Sequence, residues 1–254
     1  MNPVIVIPTY DEAAALPTLL DRILAVQPPF DVLVVDDGSP DGTGDIADDY
    51  ARKTPRVKVL HRPRKMGLGT AYRDGFRQAL AAGASVVIEM DADHSHNPRH
   101  LPALLATVGN GADLAIGSRY VNGVRVENWP FRRLMLSRFA NYYVNRASGL
   151  PATVVTDATS GFRAYRRDVL ERIGLDSVAS NGYFFQIEMA YRAWRMGFRV
   201  QEVPITFEEH YLTSSKISKR IIWEAIWGTA LLRFTVPRVR RAPAPAPPVE
   251  VDRL

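Results

Sequence analysis

Two carboxylates separated by one small residue, Asp91-Ala92-Asp93, end the apolar run Val86-Val87-Ile88-Glu89-Met90. Carboxylate oxygens are hard donors, and a pair at this spacing suits Mg²⁺ or Mn²⁺ shared with a substrate's phosphates rather than enclosed in an all-protein cage. Ser95, two residues on, adds a hydroxyl. The competing reading is a solvated turn in which Asp93 or Ser95 caps the next helix. Three further strand-like runs in the same half of the chain favour the metal. Val4 to Ile7 leads into Pro8-Thr9-Tyr10-Asp11-Glu12, and Val32 to Val35 leads into Asp36-Asp37-Gly38-Ser39-Pro40-Asp41-Gly42-Thr43. Val57 to His61 leads into Arg62, Arg64, Lys65 and the helix-opening Gly67-Leu68-Gly69. Acids so placed also suit the donors of a nucleobase and ribose hydroxyls, and the amides of a glycine-rich helix start suit a phosphate.

The elements that must position these groups follow from periodicity. Each run is of strand length and mostly apolar, Val4 to Ile7 and Val32 to Val35 wholly so, which is the pattern of a buried parallel strand. Helical stretches lie between them, such as Leu16, Leu19, Leu20, Ile23. Right-handed βαβ crossovers then put all the strand ends along one edge of one sheet, where open α/β sheets bind ligands. Residues 1 to about 119 are expected to form this nucleotide-binding half, with a fifth strand at Leu114 to Gly117. A loop from Tyr120 to Pro130 and a helix from Phe131 to Ser148 follow, then a return to the sheet within Val154 to Tyr165. A helix around Phe184 to Met196, a strand pair in Phe198 to Phe207 and a last helix from Ser218 to Phe234 complete one domain, residues 1–236. Residues 237–254 form a Pro/Ala-rich tail that builds no core and is expected to be disordered.

The chain's 254 residues suffice for a single α/β domain with a mostly parallel central sheet flanked by helices. The absence of cysteine excludes disulfides, a thiolate nucleophile and a zinc–sulfur site. A net charge of +5, carried largely by Arg at 119–146, 163–172, 192–199 and 233–241, suits a phosphate or an anionic membrane surface. Nucleic acid is disfavoured, because no recognition motif is present and the acidic strand ends repel a polyanion. There is no signal-peptide pattern and no run of about eighteen uncharged apolar residues, so the expected location is cytoplasmic, at most peripheral to a membrane.

Two helices bear on that periphery. In 131–148, Arg133, Ser137 and Asn141 share a face while Leu134, Leu136, Phe139, Tyr142 and Tyr143 spread apolar surface over much of the rest. Cation, hydroxyl and apolar flank together suit a lipid phosphate. The alternative is a surface helix with its apolar stripe in the core. The last helix carries Trp223 and Trp227 and is followed by Arg238, Arg240 and Arg241. It reads either as a helix lying on a membrane surface or as a core helix.

Taken in order, Pro8-Thr9-Tyr10-x-Glu12, Val35-Asp36-Asp37-Gly38-Ser39-x-Asp41-Gly42-Thr43, Gly67-Leu68-Gly69, Asp91-Ala92-Asp93-x-Ser95-His96, Gly117-Ser118-Arg119-Tyr120 and Ser160-Gly161-Phe162-Arg163 form a recognisable set. The set resembles the dolichol-phosphate and polyprenol-phosphate mannose synthases of glycosyltransferase family 2, over about residues 2–234. The resemblance implies a GT-A (Rossmann-like) fold, GDP-mannose as donor, Mg²⁺ or Mn²⁺ as cofactor, a polyprenyl phosphate acceptor and inversion at the anomeric carbon. It also implies roles. Asp91, Asp93 and Ser95 hold the metal; Pro8, Tyr10, Glu12, Val35, Asp37 and Ala92 meet the donor nucleotide; Arg119, Arg133 and Ser137 hold the acceptor phosphate. Asp91, Asp93 and Arg119 form the catalytic set, and Gln186 and Glu188 position the sugar. His210 and Lys216 correspond to a loop that closes over the nucleotide, with His210 and Thr213 standing where the family has Arg and Gly. Some relatives carry membrane spans after the last helix; here peripheral binding or a separate membrane-anchoring protein is expected instead. Two alternatives remain open: transfer of another sugar, such as glucose from UDP-glucose, and a non-catalytic nucleotide-binding adaptor, against which intact Asp91 and Asp93 argue.

Overall fold

Strands that are apolar on both faces need cover on both sides, and the computed structural model, which describes residues 1–127, 129–178, 180, 182–208 and 219–236, supplies it. Strands β1 (Pro3–Thr9), β2 (Asp31–Asp36), β3 (Val57–His61), β4 (Val86–Glu89) and β5 (Leu114–Ser118) alternate with helices α1 (Leu16–Leu24), α2 (Thr43–Lys53), α3 (Leu68–Ala81) and α4 (Leu101–Gly109). The strand period of two sends successive side chains into different cores. Val4 and Val6 pack with Tyr72 and Phe76 of α3. Ile5 and Ile7 pack with Leu16, Leu19, Leu20 and Ile23 of α1.

The main sheet has seven strands in the order β3-β2-β1-β4-β7-β5-β8, completed by β7 (Arg163–Arg166) and β8 (Val200–Pro204). Only β7 is antiparallel, lying between β4 and β5. From β1 the chain winds outward through β2 and β3 and then crosses to place β4 on the other side of β1. That reversal opens a crevice at the carboxyl ends of β1 and β4, where Glu12 and Asp91 follow their strands.

Two sequence expectations change here. Of the stretch Val154 to Tyr165, only its end joins the sheet, as β7; the preceding residues form a loop beneath the site. Nor do the strands of Phe198 to Phe207 pair with each other. β8 extends the sheet beside β5. β9 (Phe207–Glu208) instead pairs in parallel with β6 (Val126–Glu127), a strand inside the expected 120–130 loop.

Helix α5 (Phe131–Ser148) has the expected bounds but not an apolar stripe in the core. Asn141, Val144 and Ser148 face inward. Phe131, Met135, Leu136, Phe139 and Tyr142 are exposed, because apolar residues dispersed around a helix cannot all turn to one side. After α6 (Arg167–Ile173) and α7 (Gly182–Arg195), helix α8 (Lys219–Thr235) packs on α7 and α5. One face is core, since Thr229, Leu232 and Val236 continue inward, whereas on the other Trp227 and Phe234 are 63% and 80% exposed. Among the described residues no helix is long and apolar enough to cross a membrane. The tail at 237–254 lies outside the described residues.

Candidate active site

Asp91 emerges from β4 and is held at several points. Its Oδ1 accepts a hydrogen bond from Tyr72 at 2.9 Å, and its amide donates to His96 Nδ1 at 3.0 Å. That imidazole nitrogen therefore presents a lone pair. The loop turns back through His94, at φ 64°, and Asp93 Oδ1 accepts from the amide of Ser95 at 3.0 Å. Ser95 is buried and meets Asp93 through its backbone. Asp91 keeps 36% of its side-chain surface open to solvent. Burial, then the charge of Asp91, pushes the Tyr72 hydroxyl well above the usual phenol range, so it stays a donor. Burial and the Asp93 charge likewise raise Asp91.

Glu12 comes in from the loop after β1, where its amide donates to Thr43 Oγ1 at 3.0 Å. Burial, then the charges of Asp93 and Asp91, push it up to about 7. This residue, expected to meet the nucleotide, thus also faces the acid pair. The crowding is a repulsion that a divalent cation would relieve, so the donor set fits Mg²⁺ or Mn²⁺. Among the described residues no three His, Cys, Asp or Glu side chains gather into a cage. An ion here would draw further oxygens from a ligand.

On the nucleotide side of the crevice, Asp37 already has partners within the protein. Asp37 accepts from Arg62 Nη1 at 2.5 Å and from the amide of Met66 at 3.2 Å, and Arg62 also pairs with Asp74 at 3.2 Å. Both Asp37 and Arg62 are buried. A buried carboxylate requires a counter-charge, so Asp37 and Arg62 together bind the β3–α3 loop to β2. Val35 and Ala92 are buried, leaving their backbones for any ligand. Pro8 and Tyr10 are half-buried, and Lys65 Nζ lies 3.9 Å over the Tyr10 ring.

Arg119 is likewise engaged. Its Nε and Nη2 donate to Asp157 at 2.7 and 2.5 Å, and Nη2 also reaches Thr159 Oγ1 at 2.7 Å. Burial alone would raise Asp157, but the charge and hydrogen bonds of Arg119 outweigh it and hold the carboxyl below its usual range. The expected phosphate fork is thus engaged inside the protein, tying β5 to the loop after α5. Glu202 of β8 fixes the same loop, accepting from the amides of Thr156 and Asp157 at 3.0 and 2.8 Å. Beside this pair stand the acceptor candidates of α5. Ser137 Oγ accepts from Tyr120 at 2.6 Å, and Arg133 is exposed with its Cζ 4.6 Å from the Trp129 ring centre.

Gln186 and Glu188 part company. A Cβ on Gly161 would stand 3.5 Å from each of Asp91 Oδ2, Gln186 Nε2 and His96 Cε1, so these three side chains converge there. Glu188 instead pairs with Arg192 at 2.6 Å, one turn along α7, because residues two apart on a helix point different ways. Arg163, fully buried, donates to the carbonyls of Ser160, Gln186 and Ala158 at 2.7, 2.6 and 2.7 Å, clamping the loop to α7. Tyr72, His96, Asp157 and Arg163 were not foreseen as site residues. His96 and Arg163 stand within motifs already singled out, whereas Asp157 meets Arg119 across 38 residues with no local signal. His210, Thr213 and Lys216 lie outside the described residues.

The geometry thus has an acid pocket at the sheet edge and an apolar helix with an arginine beside it. The sequence model of Glycosyl transferase family 2 matches residues 4–174. The chain is 52% identical to the polyprenol monophosphomannose synthase of Mycolicibacterium smegmatis, over 89% of this chain and 84% of that protein. It is 50% identical to the undecaprenyl-phosphate mannosyltransferase of Micrococcus luteus, over 91% of this chain and 95% of that one. Among solved structures, it resembles the glucosyl-3-phosphoglycerate synthase of Mycobacterium tuberculosis in complex with Mn²⁺, UDP and phosphoglyceric acid. The TM-score is 0.64 at 20% identity, covering 93% of this chain and 79% of the other, a likeness of fold alone.

Proposed function

Since this chain belongs to glycosyl transferase family 2, and within it to the polyprenyl-phosphate mannose synthases, we propose that it moves mannose from GDP-mannose to a polyprenyl monophosphate, with inversion. The observation that carries this reading is the chain of contacts that leads from Asp91 through His96, Phe207 and Trp129 to Arg133 on helix α5, which also exposes a set of large apolar side chains. A sugar nucleotide needs the acid end of those contacts and a lipid phosphate the arginine end.

Each group has a task in the transfer. Asp91 and Asp93, oriented by Tyr72, His96 and the Ser95 amide, would hold the ion. When bound, Mg²⁺ or Mn²⁺ neutralises charge on the departing diphosphate. Pro8, Tyr10 and Glu12 line the nucleotide side, and Gln186 meets the sugar beside Asp91. Arg133 receives the acceptor phosphate, while Ser137, engaged by Tyr120, and Arg119, engaged by Asp157, keep that wall in place. A phosphate monoester has its second pKa near about 6, so its oxygen is largely anionic at neutral pH and needs no strong protein base. That oxygen bonds to the anomeric carbon as the bond to the diphosphate oxygen breaks, and GDP leaves from the opposite face.

The outward faces of α5 and α8 support peripheral membrane binding. Phe131, Leu136, Phe139, Trp227, Leu231 and Phe234 are all exposed, and arginines stand among them. The decisive experiment incubates GDP- and UDP-sugars with polyprenyl phosphate and Mg²⁺ or Mn²⁺ and extracts glycolipid into organic solvent. GDP-mannose is expected to give product. Product from UDP-glucose alone would replace the mannosyl reading with the glucosyl one.

A further inference from the structure

We propose that Trp129 is a positioning residue for the acceptor phosphate, its ring face ordering the guanidinium of Arg133; this rests on the reading of Arg133 as the acceptor cation. Three observations converge on that ring. Arg133 Cζ lies 4.6 Å from its centre and Arg119 Cζ 5.3 Å. Phe207 meets the same indole edge-on, with centroids 5.3 Å apart at 75°.

The supports of the ring are themselves fixed. Arg119 is anchored on Asp157, and Phe207 donates its amide to the Arg125 carbonyl at 3.1 Å and bridges His96 through the backbone. The indole N–H is buried and finds no acceptor among the described residues. Among the described residues Trp129 is therefore held by its faces and edge, and what it presents to Arg133 is a π-system. Two guanidiniums can share the ring because Asp157 neutralises the inner one, Arg119, while Arg133 stands on the exposed side of α5.

The physical consequence is pre-organisation. An Arg side chain has many rotamers, and a phosphate fork is effective only when the guanidinium is already oriented. Stacking on an indole, the strongest cation–π partner, removes much of that search before the acceptor arrives. The ring acts through Arg133 and not on the reacting atoms.

The test uses farnesyl phosphate as a soluble acceptor and four variants of the full chain: Trp129→Leu, Trp129→Phe, Arg133→Ala and the Trp129→Leu/Arg133→Ala double variant. KM is measured for farnesyl phosphate and for GDP-mannose, with Tm alongside. Trp129→Leu is expected to raise KM for farnesyl phosphate by about threefold to tenfold, leaving KM for GDP-mannose unchanged. Trp129→Phe should fall between wild type and Leu, since it keeps a weaker ring face, and it carries the comparison if the Leu variant loses Tm. In the Arg133→Ala background, Trp129→Leu should add nothing, because the side chain it orders is gone. If Arg133→Ala raises the acceptor KM while both Trp129 variants match wild type, this proposal fails and the acceptor assignment stands. A further rise in the double variant would show the ring acting on the acceptor directly and would also overturn the proposal. No effect of Arg133→Ala would remove the acceptor assignment and this inference with it.

Discussion

At the scale of single residues, the site separates side chains that act on a ligand from those that hold other side chains. The proposed function puts Asp91 and Asp93 in the first kind, and Asp91 keeps about a third of its side-chain surface open. Asp91→Asn and Asp93→Asn should each abolish transfer, costing several kcal/mol of transition-state stabilisation, with Tm nearly unchanged. Initial rates and thermal melts of both variants check this; normal turnover by both with metal present would remove the metal assignment. Arg119 and Asp157 belong to the second kind. Breaking a buried ion pair leaves one charge uncompensated, so Asp157→Asn and Arg119→Ala should each destabilise the fold by about 3 to 5 kcal/mol. Denaturant titration decides it. Loss of acceptor binding by Arg119→Ala without loss of stability would return Arg119 to the phosphate.

At the scale of elements, α5 and α8 divide their faces between core and surroundings. Helix α8 comes close to α7 at Gly228, where an added Cβ would lie 2.4 Å from the Phe184 ring. Gly228→Ala should therefore cost about 1 to 3 kcal/mol through forced displacement of the ring or the helix, seen as a lower denaturation midpoint. The outward face of α5 follows the opposite logic. Leu136 and Phe139, 66% and 65% exposed, contribute little to the folded core. Replacing both with Glu should leave stability within about 0.5 kcal/mol per site while greatly reducing cosedimentation with anionic vesicles. Undiminished vesicle binding would place the membrane contact elsewhere.

At the scale of the whole molecule, one buried acid couples stability to pH. Glu89 is fully buried in the middle of the sheet, opposite Arg163 in the β4–β7 register. Burial pushes its carboxyl from 4.5 up to about 8, against the opposing charge of Arg163. Tyr165 and Gln186 lie near enough to bias its protonation, but neither makes a hydrogen bond of normal geometry to it. Below pH 4.5 both folded and unfolded chains carry the proton, and the stability is complete. As pH rises, the unfolded chain releases the proton first, so stability is lost progressively until the folded group ionises near 8. The loss is on the order of 5 kcal/mol. Glu89→Gln, which keeps the shape of the protonated form, should escape this decline, and its advantage over wild type should grow between pH 4.5 and 8 and then level. Urea titrations across that range measure it. A constant difference would show Glu89 ionised throughout.

The alternation of apolar runs with helical spacing by itself determined the parallel sheet and the edge on which Glu12, Asp37 and Asp91 would gather, because a strand buried on both faces must be apolar throughout. The spacing of Asp91 and Asp93 likewise singled out the edge carboxylates proposed to hold the metal. What each polar side chain would face was decided only by the tertiary structure. Asp37 was taken up by Arg62, Arg119 by Asp157 and Glu188 by Arg192, since a charge enclosed by protein must find its counter-charge wherever the packing brings one. Gln186 came to the Gly161 corner that Asp91 also faces because Arg163 binds α7 to the 158–160 loop, a contact that depends on three carbonyls turned toward one guanidinium. The direction of α5 was undecided in the sequence for a related reason: its apolar residues lie all around the axis, so which of them meet the core depends on the neighbours already in place.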